Sequence, residues 1–205
     1  MSIIATDLDG TIFKGQTLID GVKEGLLKII NEGIEIYYTT NNSSQTPSEI
    51  KDKLEYLLQL NIDISKIITP LVIFQNLYSN NKSNIFIYGS DNLKNYIKNL
   101  NINVTSLENA ELVLIGRKEE NNFSEINEII KNVSLGKNIL SLNKDLTFPT
   151  EFGEKAGNGA VVKIIEDELS INIPTLGKSG NHYSSYFIQN KITVNFVIGD
   201  RVDTD

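Results

Sequence analysis

Short apolar runs alternate with segments of helical period along the whole chain, and this alternation predicts an α/β fold. The predicted strands cover residues 3–6, 34–38, 85–88, 112–115, 139–142, 174–176 and 192–198. The predicted helices lie between them, at residues 21–30, from 46 onward, 71–78, 91–100, 124–133, 159–169 and 179–189. The strands are apolar throughout, which is typical of parallel strands with helices on both faces. We therefore predict a doubly wound parallel sheet.

Local signals mark the boundaries of several elements. Thr46 precedes Pro47 and is followed three residues later by Glu49, which predicts a capped helix start. Thr69 and Pro70 repeat the cap-and-proline start. The polar tract 79–84 is the best linker in the chain, and residues 143–158, which contain Pro149, are predicted to form a long loop.

Composition excludes several classes of function. The chain has 205 residues, 26 acidic against 19 basic side chains and a net charge of −7, which argues against nucleic-acid binding. It has no cysteine and one histidine, so thiol nucleophiles, thiolate zinc sites and histidine-rich metal centres are excluded. Any bound metal must therefore have oxygen ligands.

The chain also lacks the patterns of membrane and secreted proteins. No run approaches the ~20 apolar residues of a membrane helix. The N-terminus reaches Asp7 too early for a signal peptide. We predict a cytoplasmic protein with no membrane association.

The strongest chemical signal is Asp7-Leu8-Asp9-Gly10-Thr11, directly after the first predicted strand. Residues i and i+2 of an extended chain point to the same face, so both carboxylates project together past the strand end. Ligands bind at the carboxyl ends of parallel strands, and two convergent acids favour a divalent cation or a raised pKa. A solvated acidic turn is the alternative.

Two further signals follow later strands. Residues 39–44, Thr-Thr-Asn-Asn-Ser-Ser, offer several hydrogen-bond donors to an anion, although a polar turn before the next helix would look the same. Gly177-Lys178-Ser179 resembles the end of a phosphate-binding P-loop, but that motif needs glycine where this chain has Asn172. What remains there is one lysine between a strand and a helix, and a surface lysine is the alternative.

The last signal is at the C-terminal end, where an apolar strand runs into Gly199-Asp200, with Asp203 and Asp205 behind. A charged tail is a plausible interpretation of the last two acids. It fits Asp200 less well, because that residue abuts the strand. His182 has no acid or second histidine at ligand spacing, so we assign it a structural or surface role.

These four elements, in this order, resemble the motifs of the haloacid dehalogenase superfamily of phosphotransferases. Asp7–Thr11 is similar to the first motif, Thr40 to the second, Lys178 to the third and Asp200 to the fourth. Further stretches resemble the nitrophenylphosphatase and phosphoglycolate-phosphatase-like (NagD-like) subgroup, which inserts an α/β cap between the second and third motifs: residues 40–43, 143–145, 157–160 and 177–178.

The resemblance implies a role for each motif residue. Asp7 would attack phosphorus and form an aspartyl-phosphate, and Asp9 would protonate the leaving oxygen and then activate water. Mg²⁺ would bind the Asp7 carboxylate, the Asp9 backbone carbonyl and Asp200, with Asp205 behind them. Thr40 and Lys178 would hold the phosphoryl oxygens. Residues predicted to contact phosphate or substrate are Gly10, Thr11, Asn41, Asn143 and Asp145.

The resemblance also implies a domain organisation. We predict a Rossmann-like core formed by residues 1–79 and 170–205, and a smaller inserted α/β cap formed by residues 80–169. Relatives in the subgroup continue past the fourth motif with a helix, a strand and a terminal helix, whereas this sequence stops at Asp205. We therefore expect exposed apolar surface around residues 194–198, which dimerisation would cover.

The predicted function is Mg²⁺-dependent hydrolysis of a small phosphate monoester such as a nucleotide, a sugar phosphate or phosphoglycolate. Two alternatives remain open from the sequence. A receiver-like phosphoacceptor module also uses acids, Mg²⁺, a threonine and a lysine. A truncated fragment could keep the fold and lack activity.

Overall fold

The computed structural model describes residues 2–150 and 153–201. The first of its sheets carries the N-terminal motif, Asp7–Thr11. Its four parallel strands are β1 (Ile3–Asp7), β4 (Glu35–Thr39), β5 (Ile67–Ile68) and β11 (Phe196–Ile198), in the spatial order β11-β1-β4-β5. Asp7 pairs with Thr39 in register, so the ends of β1 and β4 lie side by side. The first and second predicted motifs therefore meet at one edge.

The second sheet is built from the middle of the chain. Three parallel strands, β6 (Ile85–Tyr88), β7 (Leu112–Ile115) and β8 (Asn138–Ser141), lie in the order β6-β7-β8. Thr175 forms a parallel bridge with Ser141, so the segment just before Lys178 extends this sheet. The boundaries between core and cap stay a prediction.

Seven helices flank the sheets in the described part of the chain: α1 (Val22–Asn31), α2 (Pro47–Leu58), α3 (Pro70–Tyr78), α4 (Asp91–Asn99), α5 (Phe123–Ser134), α6 (Asn158–Leu169) and α7 (Asn181–Gln189). Thr46 and Glu49 form the predicted capping box of α2, and Thr69 caps α3. Both helices start where the sequence predicts. None of the described helices has the length and apolar character needed to cross a membrane.

Three apolar clusters hold the layers together. One packs α1 and α2 against the first sheet around Leu8, Ile36 and Leu54. Another packs α5 and α6 against the second sheet around Val113, Ile129 and Val162. The third cluster connects α3 and α7 to the second sheet, because residues of these helices pack in it together with strands of that sheet.

The structure corrects part of the sequence prediction. Residues 143–158, predicted as a loop, contain the antiparallel pair β9 (Thr147–Thr150) and β10 (Gly153–Ala156). The short hairpin β2 (Phe13–Lys14) and β3 (Thr17–Leu18) and the two-residue β5 were not predicted. Elements this short carry too few residues for a hydrophobic period to show.

The expected exposed apolar surface is present on β11. Phe196, Val197 and Ile198 are 63%, 58% and 39% exposed. The strand lies at the edge of the first sheet and pairs on one side with β1.

Candidate active site

A cavity of about 550 Å³ opens where β1 and β4 end. Side chains that follow these strands line one wall, among them Asp7, Asp9, Thr40 and Asn41. Other lining residues come from the segments after β7 and β8: Arg117, Asn143 and Asp145. The volume falls within the range of small-molecule sites.

Asp7 and Lys178 form a buried ion pair at the base of this cavity. Lys178 Nζ donates to Asp7 Oδ1 at 2.5 Å, and the two side chains are 6% and 10% exposed. Asp7 ends β1, and Lys178 lies between the 174–176 segment and α7. The predicted first and third motifs are therefore in direct contact.

Asp9 lies next to the second motif. Thr40 Oγ1 donates to Asp9 Oδ2 at 3.3 Å, and the Asn42 backbone N–H donates back to Thr40 Oγ1 at 2.9 Å. Burial raises the pKa of the Asp9 carboxyl, while Lys53, Thr40 and Lys178 act in the opposite direction. The net rise favours the protonated form of this carboxyl relative to that of an exposed aspartate.

Gly10 allows Asp200 to approach the first motif. Its φ is +99°, and a Cβ added there would lie 2.1 Å from Asp200 Oδ2. Any side chain at position 10 would therefore collide with this carboxylate. Thr11, predicted to contact phosphate, does not line the cavity; its Oγ1 is buried and has no hydrogen-bond partner among the described residues.

Asn41 connects three parts of the site. Its Oδ1 accepts from the Lys178 backbone N–H at 2.8 Å, and its Nδ2 donates to Asp145 Oδ1 at 3.1 Å. A Cβ on Gly177 would lie 2.9 Å from Asn41 Oδ1, so glycine permits this close approach. One amide therefore fixes the third-motif loop relative to the loop after β8.

The side-chain amide of Asn143 forms hydrogen bonds with neighbouring protein groups. Its Nδ2 donates to the Asn41 carbonyl at 2.8 Å and to Ser43 Oγ at 3.2 Å, and its Oδ1 accepts from the Asp145 backbone N–H. Asp145 lines the cavity and is half-buried. The structure thus brings both predicted residues to the cavity wall.

Asn158 supports this loop from behind. Its Nδ2 donates to the carbonyls of Ile115 and Asn143 and to Ser141 Oγ, and the residue is only 4% exposed. A Cβ on Gly157 or Gly159 would lie 2.1 Å from the Asp145 or Lys144 carbonyl oxygen, so α6 begins directly against the loop. The Gly-Asn-Gly motif is visible in the sequence, but Asn158 was not predicted to belong to the site.

Lys53 and Arg117 also line the cavity and were missed. Lys53 is in the middle of α2, far in sequence from any motif, and Arg117 follows β7. The only available signal for Arg117 was its place after a strand end. Nothing in the sequence marks Lys53, because a lysine inside an amphipathic helix is ordinarily a solvated surface residue.

The donor set suits a hard divalent cation. The Asp7 carboxylate, the Asp9 carbonyl and Asp200 are oxygen donors, and Mg²⁺ is typically held by one or two carboxylates together with water. The glycine at position 10 leaves the space that the Asp200 carboxylate takes. Among the described residues, no group of three or more His, Cys, Asp or Glu side chains forms a metal cage. Asp203 and Asp205 lie outside the described residues.

The comparisons with known proteins agree with this site. Residues 4–103 match the family model of haloacid dehalogenase-like hydrolases. An acid sugar phosphatase of Staphylococcus haemolyticus is 31% identical over 163 residues, which are 78% of this chain and 61% of the relative. The chain thus spans about three-fifths of the length of that curated relative.

Solved structures share the fold over the whole chain. A p-nitrophenyl phosphatase from Archaeoglobus fulgidus has a TM-score of 0.89 at 20% identity, covering 100% of this chain and 80% of its own. A glycerol phosphate phosphatase from Mycobacterium tuberculosis, solved in complex with magnesium, has a TM-score of 0.83 at 23% identity, covering 100% and 63%. The latter has also been solved with calcium.

The matched family model and the convergence of four motifs on one cavity identify the class. That class is the haloacid dehalogenase-like hydrolases, whose model matches residues 4–103. The fold of the chain is that of the solved p-nitrophenyl phosphatase and of a solved putative NagD protein, which is 20% identical with a TM-score of 0.86.

Proposed function

We propose that the chain is a metal-dependent phosphatase that hydrolyses a small phosphate monoester, with Asp7 as nucleophile and Asp9 as acid and base. The observation that carries the proposal is the pairing of Asp7 with Lys178 beside Asp9 at the base of one cavity. The relatives named for phosphatase activity support the reaction class, and the acid sugar phosphatase favours a sugar phosphate.

In the first step, Asp7 Oδ attacks phosphorus and the bond between phosphorus and the ester oxygen breaks. Asp9 gives its proton to the leaving oxygen, which its raised pKa permits. Lys178 lies against the nucleophile, where its charge offsets that of the phosphoryl oxygens. The products of this step are the free alcohol and a phosphoryl group on Asp7.

In the second step, Asp9 takes a proton from a water molecule that attacks the phosphoryl group. Inorganic phosphate leaves and the Asp7 carboxylate is regenerated. Thr40 holds the Asp9 carboxyl through both steps. Asp7, the Asp9 carbonyl and Asp200 would hold the divalent cation, which supplies charge neutralisation.

We also propose that residues 80–169 act as a cap that excludes water and contacts the leaving group. Arg117, Asn143 and Asp145 reach the cavity from this segment. Their presence in the same cavity as Asp7 and Asp9 supports this division of roles.

The test is hydrolysis of p-nitrophenyl phosphate by the purified chain, with Mg²⁺ and with EDTA. Asp7→Asn should abolish turnover, and Asp167→Asn, in an exposed ion pair on α6, should not change it. Equal turnover in Asp7→Asn or in EDTA would contradict the proposal. A phosphorylated protein that persists for minutes without turnover would favour the receiver-like alternative, and a folded, Mg²⁺-binding but inactive chain would favour the inactive fragment.

A further inference from the structure

Lys53 is a cation whose position in the cavity is not explained by the roles given above. It projects from α2, is half-buried and lines the same cavity as Asp9. None of the ion pairs among the described residues includes it. Burial lowers the pKa of its ammonium group, partly opposed by the charge of Asp9, so its burial is unfavourable in the free protein.

The aromatic ring of Phe13 holds Lys53 in place. The ammonium nitrogen lies 3.5 Å from the ring centroid, and Phe13 itself is 2% exposed. The attraction of a cation to an aromatic face compensates only part of the lost hydration. Because Phe13 lies two residues after the end of the first motif, the lysine is anchored near the catalytic acids.

The two cavity lysines differ in their contacts. Lys178 is paired with Asp7, the proposed nucleophile, whereas Lys53 lines the same cavity without an ion pair among the described residues. Lys178 is therefore placed for the phosphoryl group. Lys53 is the cavity lysine that remains for the leaving group.

The charge balance of the cavity leaves room for a further anion. Among the described residues that line it, four are acidic and five are basic: Lys14, Lys53, Arg117, Lys178 and Arg201. A phosphate dianion and a divalent cation would neutralise each other. The surplus of one positive charge then remains for the rest of the substrate.

We propose that Lys53 binds a second anionic group on the alcohol part of the substrate, so that the chain selects phosphate monoesters whose leaving group carries a carboxylate or another phosphate. The inference rests on the proposed function, because it assumes that the cavity binds a phosphate monoester. It assigns the selection of the leaving group partly to the core helix α2, in addition to the inserted segment.

The experiment measures binding and does not depend on turnover. We would titrate 2-phosphoglycolate, glycerol 1-phosphate and 1,3-propanediol bisphosphate into the Asp7→Asn protein with Mg²⁺, by calorimetry. Both ligands with a second anion should bind about 10-fold or more tightly than glycerol 1-phosphate. Lys53→Met in the same background should remove this preference, and Lys53→Arg should restore part of it.

Lys51→Met is the matched control, because Lys51 is on the same helix and pairs with Glu55. It should leave the preference unchanged. The proposal is overturned if glycerol 1-phosphate binds as tightly as the ligands with a second anion, if no ligand binds, or if Lys53→Met weakens all three equally. Preference for only one of the two anions would keep the proposal and identify the anion.

Turnover of p-nitrophenyl phosphate separates this inference from the proposed function. Its leaving group carries no second anion, so Lys53→Met should change KM for this compound by no more than about threefold. For phosphoglycolate, the same variant should raise KM at least ~10-fold. If the wild-type chain turns over neither compound, the proposed function fails, while the binding preference still decides the role of Lys53.

Discussion

Lys178 Nζ and Asp7 Oδ1 lie 2.5 Å apart although 171 positions separate them in the chain. Each is nearly excluded from solvent, and the contact compensates part of the charge of each. The pair also links the end of the first strand to the segment that extends the second sheet. The same contact therefore contributes to the stability of the fold and to the proposed chemistry.

Lys178→Met should reduce both stability and activity. Removing one partner of a buried ion pair costs about 3–5 kcal/mol, because the remaining buried charge loses its compensating partner in that pair. Urea unfolding in EDTA measures this loss, and kcat/KM on p-nitrophenyl phosphate should fall at least ~100-fold. Lys163→Met removes an exposed pair with Asp167 and should cost less than about 1 kcal/mol. Equal losses of unfolding free energy in the two variants would contradict the prediction that burial makes the Lys178 pair important.

Gly10→Ala should weaken metal binding. The new Cβ would lie 2.1 Å from Asp200 Oδ2, so this carboxylate must move. Calorimetric titration with Mg²⁺ should show at least a ~10-fold loss of affinity. Gly21→Ala is the matched control, because Gly21 also has positive φ, +80°, but open space around it. A similar affinity loss in both variants would attribute the effect to backbone strain alone.

Asn158→Ala should destabilise the protein by about 1–3 kcal/mol, because it leaves the buried carbonyls of Ile115 and Asn143 without this donor. Since Asn143 in turn contacts Asn41, we also expect a raised KM. Thermal unfolding and steady-state kinetics measure the two effects. Asn132→Ala, which removes an exposed hydrogen bond on α5, should change neither. Unchanged stability in Asn158→Ala would show that the loop is held without this amide.

Asp9→Asn should make the metal-free protein more stable at neutral pH while abolishing activity. Burial raises the pKa of Asp9 above its ordinary value of 3.8, so the folded protein binds this proton more tightly than the unfolded chain. Stability due to this group therefore falls as pH rises from about 3.8 through the raised folded pKa. Below that window the carboxyl is protonated in both states and the penalty disappears.

Unfolding free energies of wild type and Asp9→Asn in EDTA should therefore diverge as the pH rises and converge near pH 3.8. Asp52→Asn, which removes an exposed acid on α2, is the matched control and should not stabilise the protein at pH 7. A wild-type protein that is more stable than Asp9→Asn at pH 7 without metal would reverse the predicted sign.

The sequence predicted the fold class and the elements whose signals are local. β6 and β7 have the predicted bounds, and α2 and α3 begin at the predicted threonine caps. Caps, prolines and apolar runs act within a few residues, so the sequence alone displays them. The pair β9–β10 escaped prediction because Pro149 and the glycines read as a loop, whereas pairing between the two short strands stabilises them.

The sequence by itself determined which residues follow the strand ends, because acids, hydroxyls or a lysine after an apolar run are local patterns. Only the tertiary structure decided that Lys53 shares a cavity with Asp9, that Asn158 supports Asn143, and that Gly10 yields space to Asp200. These contacts join residues far apart in the chain. They arise from the packing of helices against two sheets, and the hydrophobic periodicity of a single segment does not reveal such contacts.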